Sequence, residues 1–184
     1  MSDFWVSIVN FFEVEFEKPP ETIYKFNKNF INSSWFVNSE ISYSKNIFKN
    51  HKLTSPAIKY QDESGTYIEI SWNSLKNKTL EFQNILVKNN VGVGDRVVGY
   101  CSNTPETVAA FLAANSIGAI WSSCSPDFGY DSVFDRFNQI QPKFLFYHSD
   151  YIYGGKNYSL ESKVTKLKNS IDSISSSLDL CSKS

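Results

Sequence analysis

The chain of 184 residues is predicted to fold as an α/β protein, with a small, mostly parallel sheet and flanking helices. Short apolar segments alternate with helix-like segments from Asp95 to Tyr147, and the connections between them are short. Strand–helix–strand units in succession favour a parallel sheet with right-handed crossovers. Helical patterns also precede and follow this region, at residues 73–90 and 160–178, and they supply the flanking layers.

The alternating region begins with a predicted strand at residues 96–101. Thr104-Pro105-Glu106 then indicates a helix start, because a hydroxyl cap, a proline at the first helical position and an acid near the positive end of the helix dipole occur together. Gly118 is placed to end this helix. The remaining predicted elements are a strand at 119–122, a helix at 131–141 and a strand at 144–147.

The segments around this region have clear periods. Residues 57–60 and 67–71 alternate like two short strands joined by a turn at 63–65. The helix at 73–90 places apolar residues at intervals of three or four, and so does the helix at 160–178 over five turns. The apolar face of the first consists of Leu75, Thr79, Phe82 and Leu86; that of the second consists of Leu160, Val164, Leu167, Ile171, Ile174 and Leu178.

Residues 1–52 read as an N-terminal cap segment, and residues 53–184 as the main domain. The first segment opens with a helical pattern in which Phe4, Ile8, Phe11 and Phe12 share a face, and Pro19-Pro20 is expected to stop any helix. Its later aromatic residues have no clean period. Two interpretations remain open: a cap that lays aromatic anchors onto another surface, or a wrapped loop that belongs to the main core.

Composition excludes several classes of protein. The net charge of −1 gives no electrostatic reason to expect a nucleic-acid partner. No apolar run reaches the roughly 18 to 20 residues of a membrane span, and the N-terminus lacks the basic region of a secretory signal. Cys101, Cys124 and Cys181 are odd in number and widely spaced, which suggests neither a disulfide framework nor a zinc site. A reduced, cytoplasmic setting is expected.

No set of residues indicates catalysis by its spacing alone. His51 and His148 are far apart and lack neighbours typical of a metal site, so both are interpreted as surface or loop residues without a role. Asp127 and Asp131 lie near the start of a predicted helix, where either could act as a cap.

Two glycine-containing segments could be mistaken for phosphate loops. Residues 92–95 precede a strand, whereas a phosphate loop follows a strand and opens a helix. Gly154-Gly155-Lys156 lacks both the preceding glycine and the following Ser or Thr of such a loop. Neither segment is therefore predicted to be a phosphate loop, and residues 92–95 are predicted to be a turn.

The order of several short motifs resembles the adenylate-forming acyl-CoA synthetases. These motifs are a GDRV strand, a PE helix start, an alanine-rich helix, a GA turn into a strand and a second strand–helix unit. They correspond here to Gly94–Val97, Pro105-Glu106, Val108–Ala114, Gly118-Ala119 and Asp131–Tyr147. On this resemblance the sheet is the first subdomain of such an enzyme.

One segment resembles a particular branch of that superfamily. Residues 120–129 read IWSSCSPDFG, which is similar to the acetoacetyl-CoA branch, whereas the acetyl-CoA branch has a GGFS-like turn there. The DRF, QI and PK motifs at 135–143 and the aromatic-rich first 46 residues also fit the acetoacetyl-CoA branch, so the resemblance extends over nearly the whole chain.

The resemblance implies a ligase that uses ATP, magnesium, CoA and acetoacetate. In such enzymes the carboxylate attacks the α-phosphate of ATP, and the CoA thiolate then displaces AMP. The chemistry needs a Ser/Thr/Gly-rich phosphate loop, acids for ribose and magnesium, and a lysine on a small C-terminal domain, none of which occurs in residues 1–184. The isolated polypeptide is therefore expected to be inactive.

The resemblance also implies a CoA contact. Carried over by turn position, it falls on Ser125, Pro126 and Asp127 after one strand, and on Tyr153 and Lys156 after another. Only Lys156 keeps a positive charge that could meet a phosphate; a solvated loop lysine is the competing interpretation.

Three functional hypotheses therefore stand. The chain is part of an acetoacetate–CoA ligase, a non-catalytic remnant that acts as an interaction or CoA-binding module, or a piece of an acetyl-CoA synthetase. Self-association is also expected, because a sheet edge and one face of the 160–178 helix would be left under-covered.

Overall fold

The computed structural model describes residues 1–49 and 55–181. The chain forms two compact units, Met1–Asn50 and His51–Ser184. The predicted division between residues 52 and 53 lies outside the described residues, and so does His51.

The first unit combines helices with a small antiparallel sheet. Its elements are α1 (Ser2–Phe11), β1 (Thr22–Lys25), a 3-10 helix (Phe30–Asn32), β2 (Ser34–Val37) and α2 (Tyr43–Lys49). The predicted N-terminal helix is confirmed. It ends at Phe11, well before Pro19-Pro20, so the prolines are not what stops it.

Several aromatic side chains of the first unit pack against one another. The ring centroids of Trp5 and Phe36 are 6.0 Å apart, and those of Tyr24 and Trp35 are 5.2 Å apart. Other apolar residues of the unit remain exposed, among them Phe11 and Ile31. The aromatic residues of the segment therefore divide between an internal cluster and the surface of the unit.

The second unit is built around a sheet with helices on both faces. Its elements are β3 (Ile58–Gln61), β4 (Tyr67–Ile70), α3 (Trp72–Lys88), β5 (Arg96–Tyr100), α4 (Pro105–Ser116), β6 (Ile120–Cys124), α5 (Tyr130–Ile140), β7 (Phe144–Tyr147), β8 (Asp150–Tyr153), β9 (Lys156–Ser159), α6 (Glu161–Ser170) and β10 (Ser176–Asp179). The strands β3 and β4 form an antiparallel hairpin, and so do β8 and β9.

The central sheet has the strand order β10-β7-β5-β6, and all of its pairings are parallel. This confirms the predicted fold class. Alternate residues of β5 point to opposite faces: Val98 and Tyr100 join the core formed with α5 and α6. On the opposite face, Phe146 of β7 contacts Phe82 of α3, with ring centroids 5.5 Å apart.

The start of α4 follows from its sequence. The hydroxyl oxygen of Thr104 accepts a hydrogen bond from the backbone N–H of Thr107 at 3.3 Å, and Pro105 occupies the first turn. Ala109 and Ala113 are fully buried, and their small side chains let α4 lie close to α3 and the sheet.

The predicted helix at 160–178 is wrong in its second half. The helix α6 ends at Ser170, Ile171 is extended, and Ser176–Asp179 forms β10 alongside β7. Four serines among residues 173–177 compete for backbone hydrogen bonds and disfavour a helix, whereas β7 offers a strand edge to pair with.

This correction also bears on the expected self-association. The predicted inward residues of α6, Leu160, Val164 and Leu167, are buried in the core of the second unit. The expectation of self-association rested partly on an exposed apolar face of this helix, and the described part of α6 has no such face. Self-association stays a prediction.

Gly99→Ala is expected to lower the melting temperature by several degrees. A Cβ at Gly99 would lie 2.8 and 2.9 Å from two ring carbons of Trp121, and that ring sits between the rings of Phe111 and Phe146. Overpacking of this kind costs about 1 to 3 kcal/mol, and each kcal/mol shifts the melting temperature of a domain of this size by roughly 2–4 °C.

The measurement is thermal unfolding followed by circular dichroism, with Gly92→Ala as the matched control. A Cβ at Gly92 meets nothing within 4 Å, so that substitution should leave the melting temperature almost unchanged. Equal melting temperatures for the Gly99 variant and the wild type would show that the Trp121 ring is free to move.

Candidate CoA-binding edge of the sheet

The carboxyl ends of the four parallel strands meet at one edge of the central sheet. The segments that leave this edge are the loop 101–104 after β5, the turn 125–129 after β6, and the short link 148–149 from β7 into the β8–β9 hairpin. Ligands of open parallel sheets bind outside the carboxyl ends of the strands. This edge is therefore the candidate site: Ser125, Pro126 and Asp127 lie in the turn after β6, and Tyr153 and Lys156 lie in the hairpin that follows β7.

The turn after β6 is held from below by Tyr100. Its hydroxyl donates a hydrogen bond to the carbonyl oxygen of Phe128 at 2.6 Å and lies 3.3 Å from that of Pro126. The backbone N–H of Phe128 donates to the carbonyl of Ser125 at 3.2 Å and closes the turn. Pro126 is buried, whereas Ser125 and Asp127 are exposed. The turn thus presents two polar side chains to solvent on a fixed backbone.

Tyr100 can donate this hydrogen bond at any ordinary pH. Its side chain is fully buried, and this burial, with smaller contributions from groups such as Tyr151, Cys124 and Asp127, raises the pKa of Tyr100 to about 12. A protonated phenol is a donor, so the contact with the Phe128 carbonyl persists throughout the physiological range.

The helix that follows the turn is not capped by an aspartate. The N-cap of α5 is Gly129, and no side chain makes a capping hydrogen bond there. The prediction that Asp127 or Asp131 caps this helix is therefore wrong. The Arg136 guanidinium lies 5.1 Å from the centre of the Phe128 ring and braces the turn from the side of α5. Asp127 is left available to solvent.

The hairpin of β8 and β9 places Tyr153 opposite Lys156 at its tip. Gly154 and Gly155 form its two-residue loop with φ angles of +58° and +74°, which glycine adopts without strain. Tyr153 is 60% exposed and Lys156 is also exposed. Within residues 1–49 and 55–181, Lys156 forms no salt bridge, so its ammonium group is free for an anion.

The structure brings part of this predicted site together. Phe128 of the turn and Tyr151 of β8 both pack against the core that α5 and α6 form with the sheet, and burial raises the pKa of Tyr151. Among the described residues, no hydrogen bond or ion pair joins Lys156 to Ser125, Pro126 or Asp127. The turn and the hairpin thus lie against the same core, with no bond from Lys156 to the turn within the described residues.

His148 is a buried residue, which the sequence interpretation missed. Its side chain is only 6% exposed, and its Nδ1 accepts a hydrogen bond from the backbone N–H of Ser102 at 3.2 Å. The available signal was its position, directly after the buried strand β7 at the carboxyl edge. It contributes to the wall of a cavity of about 470 Å³ on this edge.

Tyr100→Phe is expected to loosen the 125–128 turn. The substitution leaves the Phe128 carbonyl without its donor, and losing one partner of a buried hydrogen bond costs about 1–3 kcal/mol. Amide hydrogen exchange at Phe128 should accelerate, with a fall in melting temperature of a few degrees. Tyr147→Phe is the control, because the Tyr147 hydroxyl makes no hydrogen bond within the described residues. Unchanged exchange at Phe128 would contradict the role given to Tyr100.

The described residues contain no group of three or more His, Cys, Asp or Glu side chains that could hold a metal ion. In residues 1–49 and 55–181, every helix is too short or too polar to cross a bilayer.

Comparison with known proteins places this edge in a family context. Residues 47–182 match the AMP-binding enzyme family. The chain is 36% identical over 169 residues to an acetoacetyl-CoA synthetase of Macaca fascicularis, a match that covers 90% of this chain and 25% of that protein. It is 35% identical over 141 residues to acetoacetyl-coenzyme A synthetase of Rhizobium meliloti (strain 1021), covering 77% of this chain and 22% of that protein.

A solved structure agrees with these matches. The acetoacetyl-CoA synthetase from Streptomyces lividans superposes with a TM-score of 0.91 at 29% identity, and the match covers 100% of this chain and 29% of that one. It falls in the N-terminal part of that structure. The chain thus spans about a quarter of the length of the curated relatives it matches.

Proposed function

The chain belongs to the AMP-binding enzyme family, and we propose that it forms part of an acetoacetate–CoA ligase. Such an enzyme converts ATP, acetoacetate and CoA into AMP, pyrophosphate and acetoacetyl-CoA. The observation that carries the proposal is the similarity to acetoacetyl-CoA synthetases over about nine-tenths of the chain, together with the shared fold. Residues 120–129 support this branch over the acetyl-CoA branch.

The chemistry explains which groups the ligase needs. An acyl adenylate is a mixed anhydride, whose carbonyl is electrophilic enough for a thiolate. Forming it requires preorganised positive charge around the α-phosphate of ATP, with magnesium as the usual partner of the phosphates. The second unit provides a rigid sheet edge, and the site at that edge is proposed to take part in binding CoA. A cytoplasmic setting is part of the proposal, and the free thiols of Cys101, Cys124 and Cys181 suit it.

Lys156 is the proposed contact for a phosphate of CoA. It stands at the tip of a tight hairpin, it is exposed, and it has no carboxylate partner in the part of the chain that the structure describes. The turn at 125–127 lies on the same edge and offers the Ser125 hydroxyl. The Asp127 carboxylate repels phosphate, so it suits an uncharged part of CoA rather than the nucleotide phosphates.

Lys156→Ala is expected to weaken CoA binding by up to about fivefold at low salt. An exposed ion contact contributes roughly 0.2–1 kcal/mol, and salt screens it. The measurement is calorimetric titration of the 184-residue polypeptide with CoA at two ionic strengths. Lys168→Ala removes the same charge from α6 and is the matched control, which should retain the wild-type affinity and salt dependence.

The result separates two functions. The second candidate function is a non-catalytic CoA-binding module, which the unpaired Lys156 and the hydrogen-bonded turn at 125–128 favour. CoA binding that depends on Lys156 would fit both this candidate and the ligase proposal. Reading the coding sequence beyond the codon for Ser184 distinguishes them: a ligase requires an open frame that leads into a Ser/Thr/Gly-rich phosphate loop. A stop codon there would favour the module. If the Lys156 variant binds CoA with wild-type affinity, Lys156 does not contact CoA. That result would not affect the family assignment.

A further inference from the structure

A concave site lies at the carboxyl edge of the sheet, and its lining residues differ from those proposed for CoA. Its volume is about 470 Å³, and it is bounded by the β3–β4 hairpin, the loop after β5 and the start of β8. None of Ser125, Pro126, Asp127, Tyr153 and Lys156 lines it. The residues that matter here are Tyr60, Asp62, Glu63, Ser102, His148 and Asp150.

His148 presents one defined hydrogen-bonding group to this cavity. Its backbone N–H donates to the carbonyl of Tyr100 at 3.2 Å, and its Nδ1 accepts from the N–H of Ser102 at 3.2 Å. A ring nitrogen that accepts a hydrogen bond carries no proton, so the neutral ring has its proton on Nε2. Within the described residues Nε2 makes no hydrogen bond, and although the residue as a whole is only 6% exposed, this atom remains accessible to solvent.

The ring stays neutral near physiological pH. Burial lowers the pKa of His148, and the carboxylates of Glu106, Asp179 and Asp150 only partly oppose this effect. Protonation would also place a proton on Nδ1 against the Ser102 N–H. His148 therefore offers the cavity a solvent-accessible N–H donor that an acceptor oxygen of a ligand could meet.

The charge of the wall limits what that acceptor can be. Asp62, Glu63 and Asp150 contribute carboxylates, and none of the described lining residues is Lys or Arg. The Ser64 hydroxyl donates to Asp62 at 2.6 Å and lowers the pKa of that carboxyl, so Asp62 is ionised at neutral pH. Phosphates and carboxylates are repelled here, which excludes the anionic parts of ATP, CoA and acetoacetate.

A hydroxyl group satisfies both features of the wall, because it accepts from the His148 Nε2–H and donates to a carboxylate. The Tyr60 side chain adds an apolar face for carbon-bound hydrogens. We propose that this cavity binds an uncharged, polyhydroxylated molecule of the size of a monosaccharide, with one hydroxyl oxygen bound to Nε2 of His148. The proposal does not depend on the ligase assignment.

The test is an NMR titration of the 15N-labelled 184-residue polypeptide with D-ribose and, separately, with D-ribose 5-phosphate. Ribose is expected to shift the His148 ring resonances and the Gln61 and Asp150 amides, with a dissociation constant in the millimolar range. The phosphate is expected to bind at least about fivefold more weakly, because the wall carries only negative charge. His148→Phe should abolish the ribose-induced shifts, whereas Tyr153→Phe, outside the cavity, should keep them.

Three outcomes overturn the proposal: no shifts with either compound at about 100 mM, tighter binding of the phosphate, or ribose-induced shifts that persist in the His148 variant. If His148→Phe does not fold, Asp150→Asn provides the second variant. Removing the Asp150 carboxylate should weaken ribose binding. It should also reduce the ratio between the affinities for ribose and for ribose 5-phosphate. An unchanged preference in Asp150→Asn would count against the proposal.

Discussion

A polypeptide of residues 1–184 is expected to catalyse no ATP–pyrophosphate exchange in the presence of acetoacetate. Adenylation depends on several donors and cations aimed at the charge that develops on the α-phosphate, and removing one such group costs about 10²–10³ in rate. Residues 1–184 contain no Ser/Thr/Gly-rich loop that could supply them together. The loss should therefore exceed that of any single substitution in a complete ligase.

The exchange assay uses labelled pyrophosphate with ATP, magnesium and acetoacetate, and the acetoacetyl-CoA synthetase from Streptomyces lividans serves as the positive control. Exchange that depends on acetoacetate and disappears in a variant of this chain, for example His148→Ala, would show that residues 1–184 contain a catalytic centre. CoA binding without pyrophosphate exchange would agree with the proposal that this sheet edge binds CoA and that other parts of the ligase catalyse adenylation.

The elements that could be predicted from the sequence are those whose signals are local. The cap formed by Thr104, the proline at Pro105 and the alanine-rich face of α4 each act within a few residues, and the structure confirms the helix they indicate. The same holds for α3, whose predicted inward residues Leu75, Phe82 and Leu86 are buried. Strand–helix alternation then sufficed to predict a parallel sheet.

The region after α6 could not be predicted in this way. Ile171, Ile174 and Leu178 have helical spacing, but Leu178 pairs with Phe146 of β7 in a strand. That pairing is a long-range contact. The spacing of apolar residues at 171–178 does not depend on whether a strand about thirty residues earlier has a free edge, so the pairing could not be predicted from that spacing. Tertiary pairing outweighed the weak helical preference of a serine-rich segment.

The candidate site shows the same division. The turn at 125–127 and the Gly154-Gly155 loop were predicted as turns from the family resemblance, and both are turns in the structure. The burial of His148 depends on how β5, β7 and the loop around Ser102 meet in space, which no local spacing encodes. The hydroxyl of Tyr100 beneath the turn is invisible for the same reason, since its partner lies 28 residues away.

Phe137→Ala is expected to be among the most destabilising single substitutions in the second unit. Phe137 is fully buried on α5, in the core that this helix and α6 form with the sheet. Truncating a buried phenylalanine to alanine costs about 3–5 kcal/mol, because transfer energy is lost and a cavity remains. At roughly 2–4 °C per kcal/mol, the melting temperature should fall by about 6–20 °C.

The consequence should reach the candidate site, since α5 begins at Gly129, directly after the 125–128 turn. Arg136, next to Phe137, also braces the Phe128 ring, so a displaced helix would move that contact. We therefore expect faster amide exchange at Phe128 and weaker CoA binding in Phe137→Ala, alongside the lower melting temperature. Phe11→Ala makes the same truncation at a side chain that is 78% exposed, and it should change stability by less than about 0.5 kcal/mol. Similar melting temperatures for the two variants would show that the α5 face contributes little to the core. They would also contradict the proposal that the packing of α5 stabilises the 125–128 turn.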